Sequence, residues 1–260
     1  MSTKKYYRLA QSLLFLFIFI FLISHSIIAD DSLKARFNGQ ADLAYDVLFN
    51  GIPMGNIQWQ YLGQESIEGK SAEVVLLNSN TNILQLLNVE SKEKVFLDIQ
   101  THLPIKAARD VTFFGRQETI EELYNQDDGY IKITRRNSTT KEETLKQDKP
   151  IHNILSLLYF FPKNLKLEKG KQFDFNLPTQ KVNVKVICEK TFSLNKSKKR
   201  RVYYMVGSGA KKFNLWLDKR ERIPLRLEFI VPVGKIILVK KDNNVHAASK
   251  QIKNVNLHKE

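Results

Sequence analysis

The side chains that most often carry out catalysis are sparse in this chain of 260 residues. Away from its two ends the only histidines are His102, in a predicted turn, and His152, at the start of a predicted helix. The chain has no His-Glu-x-x-His, no cysteine pair, no Gly-x-Ser-x-Gly and no phosphate-binding glycine loop. We interpret both histidines as ordinary polar positions, and we expect no catalytic residue, no metal site and no cofactor.

The most closely spaced carboxylates, Glu118, Glu121 and Glu122, lie in a predicted strand. Successive side chains of a strand point to opposite faces, so these three do not share a face and a paired-carboxylate site is not expected. Cys188 is the single cysteine and has the parity of Val182, Val184 and Val186 in another predicted strand. This parity predicts a buried structural thiol. Taken together, these patterns predict a protein that is not an enzyme.

The N-terminus has the order of a secretory signal peptide. Three basic residues within the first eight precede an apolar run from Leu13 to Ile28, which ends at Ala29. The uninterrupted core of this run, Leu13 to Ile23, has 11 residues, whereas a membrane-spanning helix needs roughly 20. We predict cleavage after Ala29 and a periplasmic location; retention of residues 1–29 as an N-terminal membrane anchor is the alternative.

The chain is strongly basic, with a formal charge of +14 that becomes +11 when residues 1–29 are removed. Such a charge favours anionic partners, which for an exported protein include membrane surfaces and exclude nucleic acid. The densest basic segment is a predicted hairpin tip that contains Lys196, Lys198, Lys199, Arg200 and Arg201. It is a candidate surface for lipid head groups, at roughly 1 kcal/mol per basic residue near an anionic membrane. The alternative is a solvated loop.

Short strands dominate the predicted elements. A hairpin spans Asp42 to Trp59 with its turn over Asn50 to Gly55, a meander of strands continues to Arg136, and further strands run from Gln172 to Val239. Two segments share Leu-Asp, four residues, then an aliphatic residue and proline; they begin at Leu97 and Leu217 and predict two similar hairpins.

One helix is predicted over residues 151–161. Ile151, Ile154, Leu155, Leu158 and Phe161 recur with helical spacing, with Asp148 placed to cap the start and Pro162 to end it. The remaining residues of the segment are also largely apolar, which predicts a helix enclosed by the sheet.

Three ordered segments resemble the bacterial exported family known as domain of unknown function number 3108. They are Tyr45 to Gly55, Asn153 to Phe160, and Leu215 to Asp218 together with Ile223-Pro224-Leu225. The family is in turn distantly similar to periplasmic carriers that hold lipoprotein acyl chains in a half-open barrel. The resemblance implies a curved antiparallel sheet closed by helices, and it brings no activity and no catalytic residues.

We therefore expect an α+β, mostly β fold, in which a curved antiparallel half-barrel of many short strands wraps around one enclosed helix. Residues 42–241 are predicted to form a single domain, preceded by a signal peptide at 1–29 and a linker at 30–41, and followed by a polar tail at 242–260.

Our leading functional hypothesis is a non-enzymatic periplasmic protein that binds a lipid or acyl chain in an apolar groove, in support of envelope integrity or transport. The candidate groove residues are Trp59, Leu155, Leu158, Tyr159 and Trp216. For each of them, ordinary core packing is the alternative. The second hypothesis is a ligand-free scaffold that docks on anionic envelope components or on a protein partner through its basic hairpins. The sequence identifies neither the ligand nor the partner.

Overall fold

The computed structural model describes residues 43–83, 87–113, 115–159, 165–194 and 199–241. Within these residues the chain forms fourteen strands and one helix. The first eight strands are β1 (Leu43–Phe49), β2 (Ile52–Ile67), β3 (Lys70–Ile83), β4 (Leu87–Asp98), β5 (Pro104–Phe113), β6 (Arg116–Asn125), β7 (Tyr130–Arg136) and β8 (Thr140–Lys146). After them come α1 (Ile154–Tyr159), β9 (Gln172–Leu177), β10 (Gln180–Ser193), β11 (Lys199–Ser208), β12 (Lys212–Asp218), β13 (Pro224–Val231) and β14 (Gly234–Lys240).

All fourteen strands belong to one curved antiparallel sheet that is not closed into a barrel. The strand order runs from β8 down to β1 and then from β14 down to β9. The first and last strands therefore pair in the middle of the sheet, where Val47 lies opposite Leu238. The two free edges, β8 and β9, are consecutive in the sequence. The expectation of a mostly β, half-barrel-like fold is confirmed, although β2, β3 and β10, with 14 to 16 residues each, are longer than the short strands predicted.

The segment between the two edge strands ties them together at one place. Ile151 forms an isolated parallel bridge with Asn176 on β9, and the His152 N–H donates to the Asn176 carbonyl at 2.7 Å. The Gln147 side chain donates to the Pro178 carbonyl at 2.8 Å. The connection that carries α1 therefore lies at the gap between the sheet edges.

Hairpin β1–β2 forms where the sequence predicts it, but its turn is Asn50-Gly51 alone, because β2 already begins at Ile52. Asn50 and Gly51 both have positive φ, 50° and 88°, as the two central residues of a type I′ turn require. The Asn50 side chain also accepts the N–H of Lys235 at 2.8 Å. This turn is thereby joined to the start of β14, next to which β1 lies.

The two Leu-Asp hairpins have the same construction. In each, the Asp98 or Asp218 side chain accepts backbone N–H groups two and three residues ahead, at 2.7–3.0 Å. The residue four ahead, His102 or Arg222, has a left-handed φ of 56° or 57° and donates its N–H back to the aspartate carbonyl. A proline then opens the next strand, where no ladder N–H is needed.

The helix differs from its prediction. Its described part is Ile154–Tyr159, and it starts later than predicted because Ile151 is held in the bridge to β9 instead of starting a helical turn. The predicted end of the helix, Phe161 and Pro162, lies outside the described residues. Leu155 is 2 % exposed, whereas Leu157 and Leu158 are only half-buried, so the prediction of a helix enclosed all round is not confirmed. In the part of the chain that the structure describes, no helix is long and apolar enough to cross a membrane.

The predicted burial of Cys188 is wrong. A β-bulge between Val186 and Cys188 shifts the register of β10 against β11, so that Val186 lies opposite Met205 but Cys188 lies opposite Tyr204. The extra residue moves the cysteine to the other face of the sheet from Val186, where it is a half-buried free thiol.

Candidate functional site

A cavity of about 640 Å³ lies inside the curve of the sheet, next to α1. Its walls are mostly apolar and come from the helix and from strands β9 to β13. These apolar residues include Ile154, Leu157, Leu158, Phe173, Phe175, Leu177, Val182, Val184, Met205, Phe213, Leu215, Leu217 and Phe229. We call this set the apolar wall.

Strand alternation explains why so many of these side chains share the cavity. Phe173, Phe175 and Leu177 are every second residue of β9, and Phe213, Leu215 and Leu217 are every second residue of β12. The ring of Phe213 lies over Gly207 on the neighbouring strand, where a Cβ atom would come within 2.0 Å of Phe213 Cζ. The glycine therefore leaves room for this aromatic ring in the apolar wall.

The cavity opens to solvent at three turns. Its exposed lining residues are Thr179, between β9 and β10, Ala210, between β11 and β12, and Pro232, between β13 and β14. Apolar side chains lie behind this rim. The arrangement provides an apolar space that a ligand can enter from solvent.

The sequence predicts Asp148 as the cap of α1, but in the structure Asn153 caps the helix. Asn153 Oδ1 accepts the N–H of Leu155 at 2.8 Å, and the Ser156 hydroxyl donates to the Asn153 carbonyl at 2.7 Å. Leu155 then packs in the main core, while Ile154, Leu157 and Leu158 line the cavity. Asp148 instead forms an ion pair with Lys181 on β10.

Strands β4 to β6 bring a buried ionic cluster to the far side of the cavity. Arg109 Nη2 lies 2.6 Å from Glu122 Oε1, and Arg109 Nε lies 3.4 Å from Glu93 Oε1. All three residues are buried, with exposed fractions of 7 %, 4 % and 0 % for Arg109, Glu122 and Glu93. Arg109 and Glu122 line the cavity. The short contact is a strong ion pair. Among the described residues, the Nε of Arg109 has no hydrogen-bond acceptor and Glu93 Oε2 has no hydrogen-bond partner.

Two neutral side chains complete this cluster. The Tyr124 hydroxyl donates to Glu122 Oε2 at 2.5 Å, and the Asn153 amide lies 3.4 Å from both Glu93 Oε1 and the Tyr124 hydroxyl. Asn153 therefore connects the start of α1 to the ionic cluster. We call the inner face of β4 to β7, which carries these charges, the ionic wall.

Burial decides the protonation of the ionic wall. It raises the pKa of Glu93 to about 7, and the positive charge of Arg109 only partly opposes this effect. Burial also acts to lower the pKa of Arg109, but the carboxylates of Glu122 and Glu93 outweigh it and hold that pKa above its ordinary value. Burial and the neighbouring Glu122 raise the pKa of Tyr124. Glu93 therefore keeps its proton until the pH approaches about 7.

Arg135 is a second arginine of the ionic wall. It follows Ile131 and Ile133 at alternate positions of β7, lines the cavity and is half-buried. Its guanidinium forms no ion pair or hydrogen bond with any residue in the described ranges. The cavity therefore holds one compensated arginine and one uncompensated arginine.

The predicted groove residues are dispersed in the structure. Leu158 lines the cavity, while Leu155 and Trp59 are buried in the core outside its lining, Trp59 with its ring 5.1 Å from that of Tyr45. Trp216 lies on the opposite face of β12 from Leu215 and Leu217, and its ring is 5.0 Å from that of Tyr204. Tyr159 ends the helix, and its side chain lies outside what the structure describes.

The predicted basic surface is described only in part, since Lys196 and Lys198 lie outside the described residues. Lys199 is exposed. Arg200 contacts Glu221 at 2.9 Å and Arg201 contacts Glu189 at 2.9 Å. Nearby carboxylates therefore balance two of the five predicted basic side chains.

The two internal histidines lie in different parts of the fold, His102 in the turn before β5 and His152 just before α1. His102 occupies the left-handed position of the first Leu-Asp hairpin, with Nδ1 3.3 Å from Glu73 Oε2. His152 is 2 % exposed, meets the Phe175 ring edge-on at 5.5 Å, and has its pKa lowered to about 4 by burial. Among the described residues, no group of three or more His, Cys, Asp or Glu side chains is arranged to hold a metal ion.

Sequence reasoning missed the ionic wall. Its members come from separate strands, but two of them interrupt an apolar row: Arg109 stands between Ala107 and Val111, and Glu122 between Ile120 and Tyr124. A charged residue at an inward position of a half-buried strand needs a buried partner. A charged residue within an apolar row was therefore the sequence signal that could have predicted the buried ionic cluster.

Comparison with known proteins provides a family and a fold. The family described as "Protein of unknown function (DUF3108)" matches residues 44–240. A crystal structure of a beta-barrel-like protein of domain of unknown function DUF1849 from Brucella abortus is similar in fold, with a TM-score of 0.53 and 9 % sequence identity over 77 % of this chain and 95 % of that chain. No functionally curated protein matches the sequence.

Proposed function

The chain belongs to the DUF3108 family of proteins of unknown function, and we propose that it is an exported, non-enzymatic protein that holds the acyl chain of a lipid in its cavity, in support of envelope integrity or lipid transport. The observation that carries the proposal is the apolar wall around a solvent-connected space of about 640 Å³. This volume lies within the range of about 300–1,000 Å³ that is usual for small-molecule sites.

The energetics favour a hydrocarbon ligand. Each buried methylene group contributes about 0.8 kcal/mol, so a ten-carbon chain contributes about 8 kcal/mol before the cost of immobilising it. A gain of about 8 kcal/mol alone corresponds to a dissociation constant of about 1 μM, so the immobilisation cost makes the expected net affinity weaker than micromolar. Apolar side chains form no hydrogen bonds with a ligand. The apolar wall therefore favours hydrocarbon chains in general and does not select one particular lipid.

Two leucines of α1 provide a matched test. Leu158 lines the cavity and is half-buried, whereas Leu155, one turn away, packs in the main core outside the cavity lining. With the uncharged probe 1-decanol, isothermal titration calorimetry of Leu158→Ala should show severalfold weaker binding and a cooperative melt. Leu155→Ala should lower the melting temperature, at a cost of about 2–5 kcal/mol, but bind 1-decanol normally while folded.

Absence of 1-decanol binding to the wild-type protein would overturn the proposal. Binding of the protein to anionic phospholipid vesicles that weakens steeply between 50 mM and 500 mM salt, without any 1-decanol binding, would instead favour the scaffold hypothesis, because salt screens contacts between charges. The sample for these titrations is purified from the cell envelope. Its intact mass should correspond to a chain that begins at Asp30, as removal of residues 1–29 requires.

A further inference from the structure

We propose that the ligand of the cavity is an amphiphile with an anionic head group, a carboxylate or a phosphate monoester, and that Arg135 binds this head group. The inference rests on the proposed function and adds the class of ligand. Arg135 lines the cavity, is half-buried, and forms no ion pair or hydrogen bond with any described residue.

The first step of the argument is electrostatic. A cation that is withdrawn from water loses solvation energy, and a nearby anion recovers it. The residues beside Arg135 in the sheet do not supply one: Ile120 lies opposite it on β6, and Lys141 lies opposite it on β8. A second cation at that position increases the local positive potential.

Three carboxylates lie on the inward face of the sheet near Arg135, and none of them forms an ion pair with it. Glu122 and Glu143 both lie opposite Ile133, two residues before Arg135 on β7. Glu122 is held by Arg109 at 2.6 Å, and exposed Glu143 forms no ion pair with Arg135. Glu118, which shares the inward face of β6 with Ile120, likewise forms no ion pair with Arg135. An anion that enters the cavity therefore meets an Arg135 guanidinium that no described carboxylate neutralises.

The other arginine of the cavity is not equivalent. A head group could bind Arg109 only by displacing Glu122 from a short, buried ion pair. Such a displacement leaves a carboxylate buried without its partner, which is strongly unfavourable. The contrast between the two arginines assigns head-group binding to Arg135.

The experiment compares four probes that share one chain: decanoate, decyl phosphate, 1-decanol and decylammonium. Isothermal titration calorimetry on the full mature protein should show that the two anions bind about tenfold more tightly than 1-decanol, as expected for a charge-assisted contact, and that decylammonium binds most weakly. The stronger of the two anions identifies a carboxylate or a phosphate as the head group.

Three variants assign the preference to its residue. Arg135→Gln should reduce the anion-to-alcohol ratio from about tenfold to about one, and Arg135→Lys should retain part of the preference. The matched control is Arg136→Gln, the next residue, whose side chain instead contacts Glu121 at 2.8 Å. This control should keep the full ratio.

The outcomes separate the two levels of the proposal. Equal affinities of the wild-type protein for decanoate, decyl phosphate and 1-decanol would overturn the head-group inference and leave the acyl-chain proposal standing. A tenfold preference that survives Arg135→Gln would overturn the assignment to Arg135. Failure of all four probes to bind would overturn both the inference and the proposed function.

Discussion

The two walls of the cavity are built on the same strand alternation but on opposite chemistry. On β9 to β13 the inward positions carry Phe, Leu, Val and Met, which need no partners and so border an open space without an electrostatic cost. On β4 to β7 the inward positions include Glu93, Arg109, Glu122 and Arg135, and three of these four close on one another. The apolar wall borders the volume of the cavity, whereas the ionic wall holds three ionisable side chains together and leaves Arg135 without an ion pair among the described residues.

The same difference separates two arginines of one wall. Arg109 is 7 % exposed and contacts two carboxylates, while half-buried Arg135 contacts none among the described residues. A residue type alone therefore does not define a structural or a ligand-binding role. The set of partners within reach defines it.

The largest change in stability is expected when Arg109, which contacts both buried glutamates of the ionic wall, is replaced. Arg109→Met should lower the free energy of unfolding by about 3–5 kcal/mol, because Glu122 and Glu93 then remain buried without a cation. Arg135→Met, the matched change on the same wall, should alter it by less than about 1 kcal/mol. Urea unfolding followed by circular dichroism measures both. Equal losses in the two variants would show that the walls do not differ in this way.

A smaller effect comes from the titration of Glu93. Its folded-state pKa of about 7 exceeds its ordinary value of 4.5, so between these values the folded protein retains a proton that the unfolded chain has lost. The contribution of Glu93 to stability is therefore fully present below about pH 4.5 and falls as the pH rises to about 7, by about 3 kcal/mol in total.

Glu93→Gln should remove this pH dependence. The variant should become more stable relative to the wild type as the pH rises from 5 to 8, as measured by urea unfolding at each pH. Glu143→Gln, at an exposed carboxylate of β8, is the control and should follow the wild type. A constant difference between Glu93→Gln and the wild type across this range would contradict the raised pKa.

The smallest effect is expected on the apolar wall. Gly207→Ala forces the Phe213 ring to move, since the new Cβ would lie 2.0 Å from it. We expect a loss of about 1 kcal/mol in stability and a severalfold loss in 1-decanol affinity, measured by thermal melting and calorimetry. Met205→Leu, a change of similar volume on the same strand, should leave both quantities nearly unchanged. An unaltered affinity in Gly207→Ala would show that the Phe213 ring does not shape the ligand space.

Features that depend on nearby residues were predictable from the sequence. The Asn50-Gly51 hairpin and the two Leu-Asp hairpins follow from residues that satisfy one another within a few positions. The inward alternation that separates Glu121 from Glu122 was predictable for the same reason: Glu121 contacts Arg136 on one face, and Glu122 contacts Arg109 on the other. The family resemblance and the mostly β fold also came from the sequence.

The errors arose where a distant partner overrode a local pattern. The helical spacing from Ile151 was interrupted because Ile151 bridges to Asn176 across the gap between the sheet edges. The parity of Cys188 was lost to a bulge that only the pairing with β11 reveals. Trp216 has the size and apolar character of a cavity residue, but the register of β12 turns it to the opposite face from Leu215.

The sequence by itself determined the strand-rich fold, its turns and the apolar character of one wall, because these depend on period, turn chemistry and side-chain type over short distances. Only the tertiary structure decided that Glu93, Arg109, Glu122 and Asn153, which span 60 residues, form one cluster and that Arg135 lies outside it. Electrostatic pairing acts through space over a few ångströms, so the partner of a buried charge depends on the register and curvature of strands that are far apart in the chain.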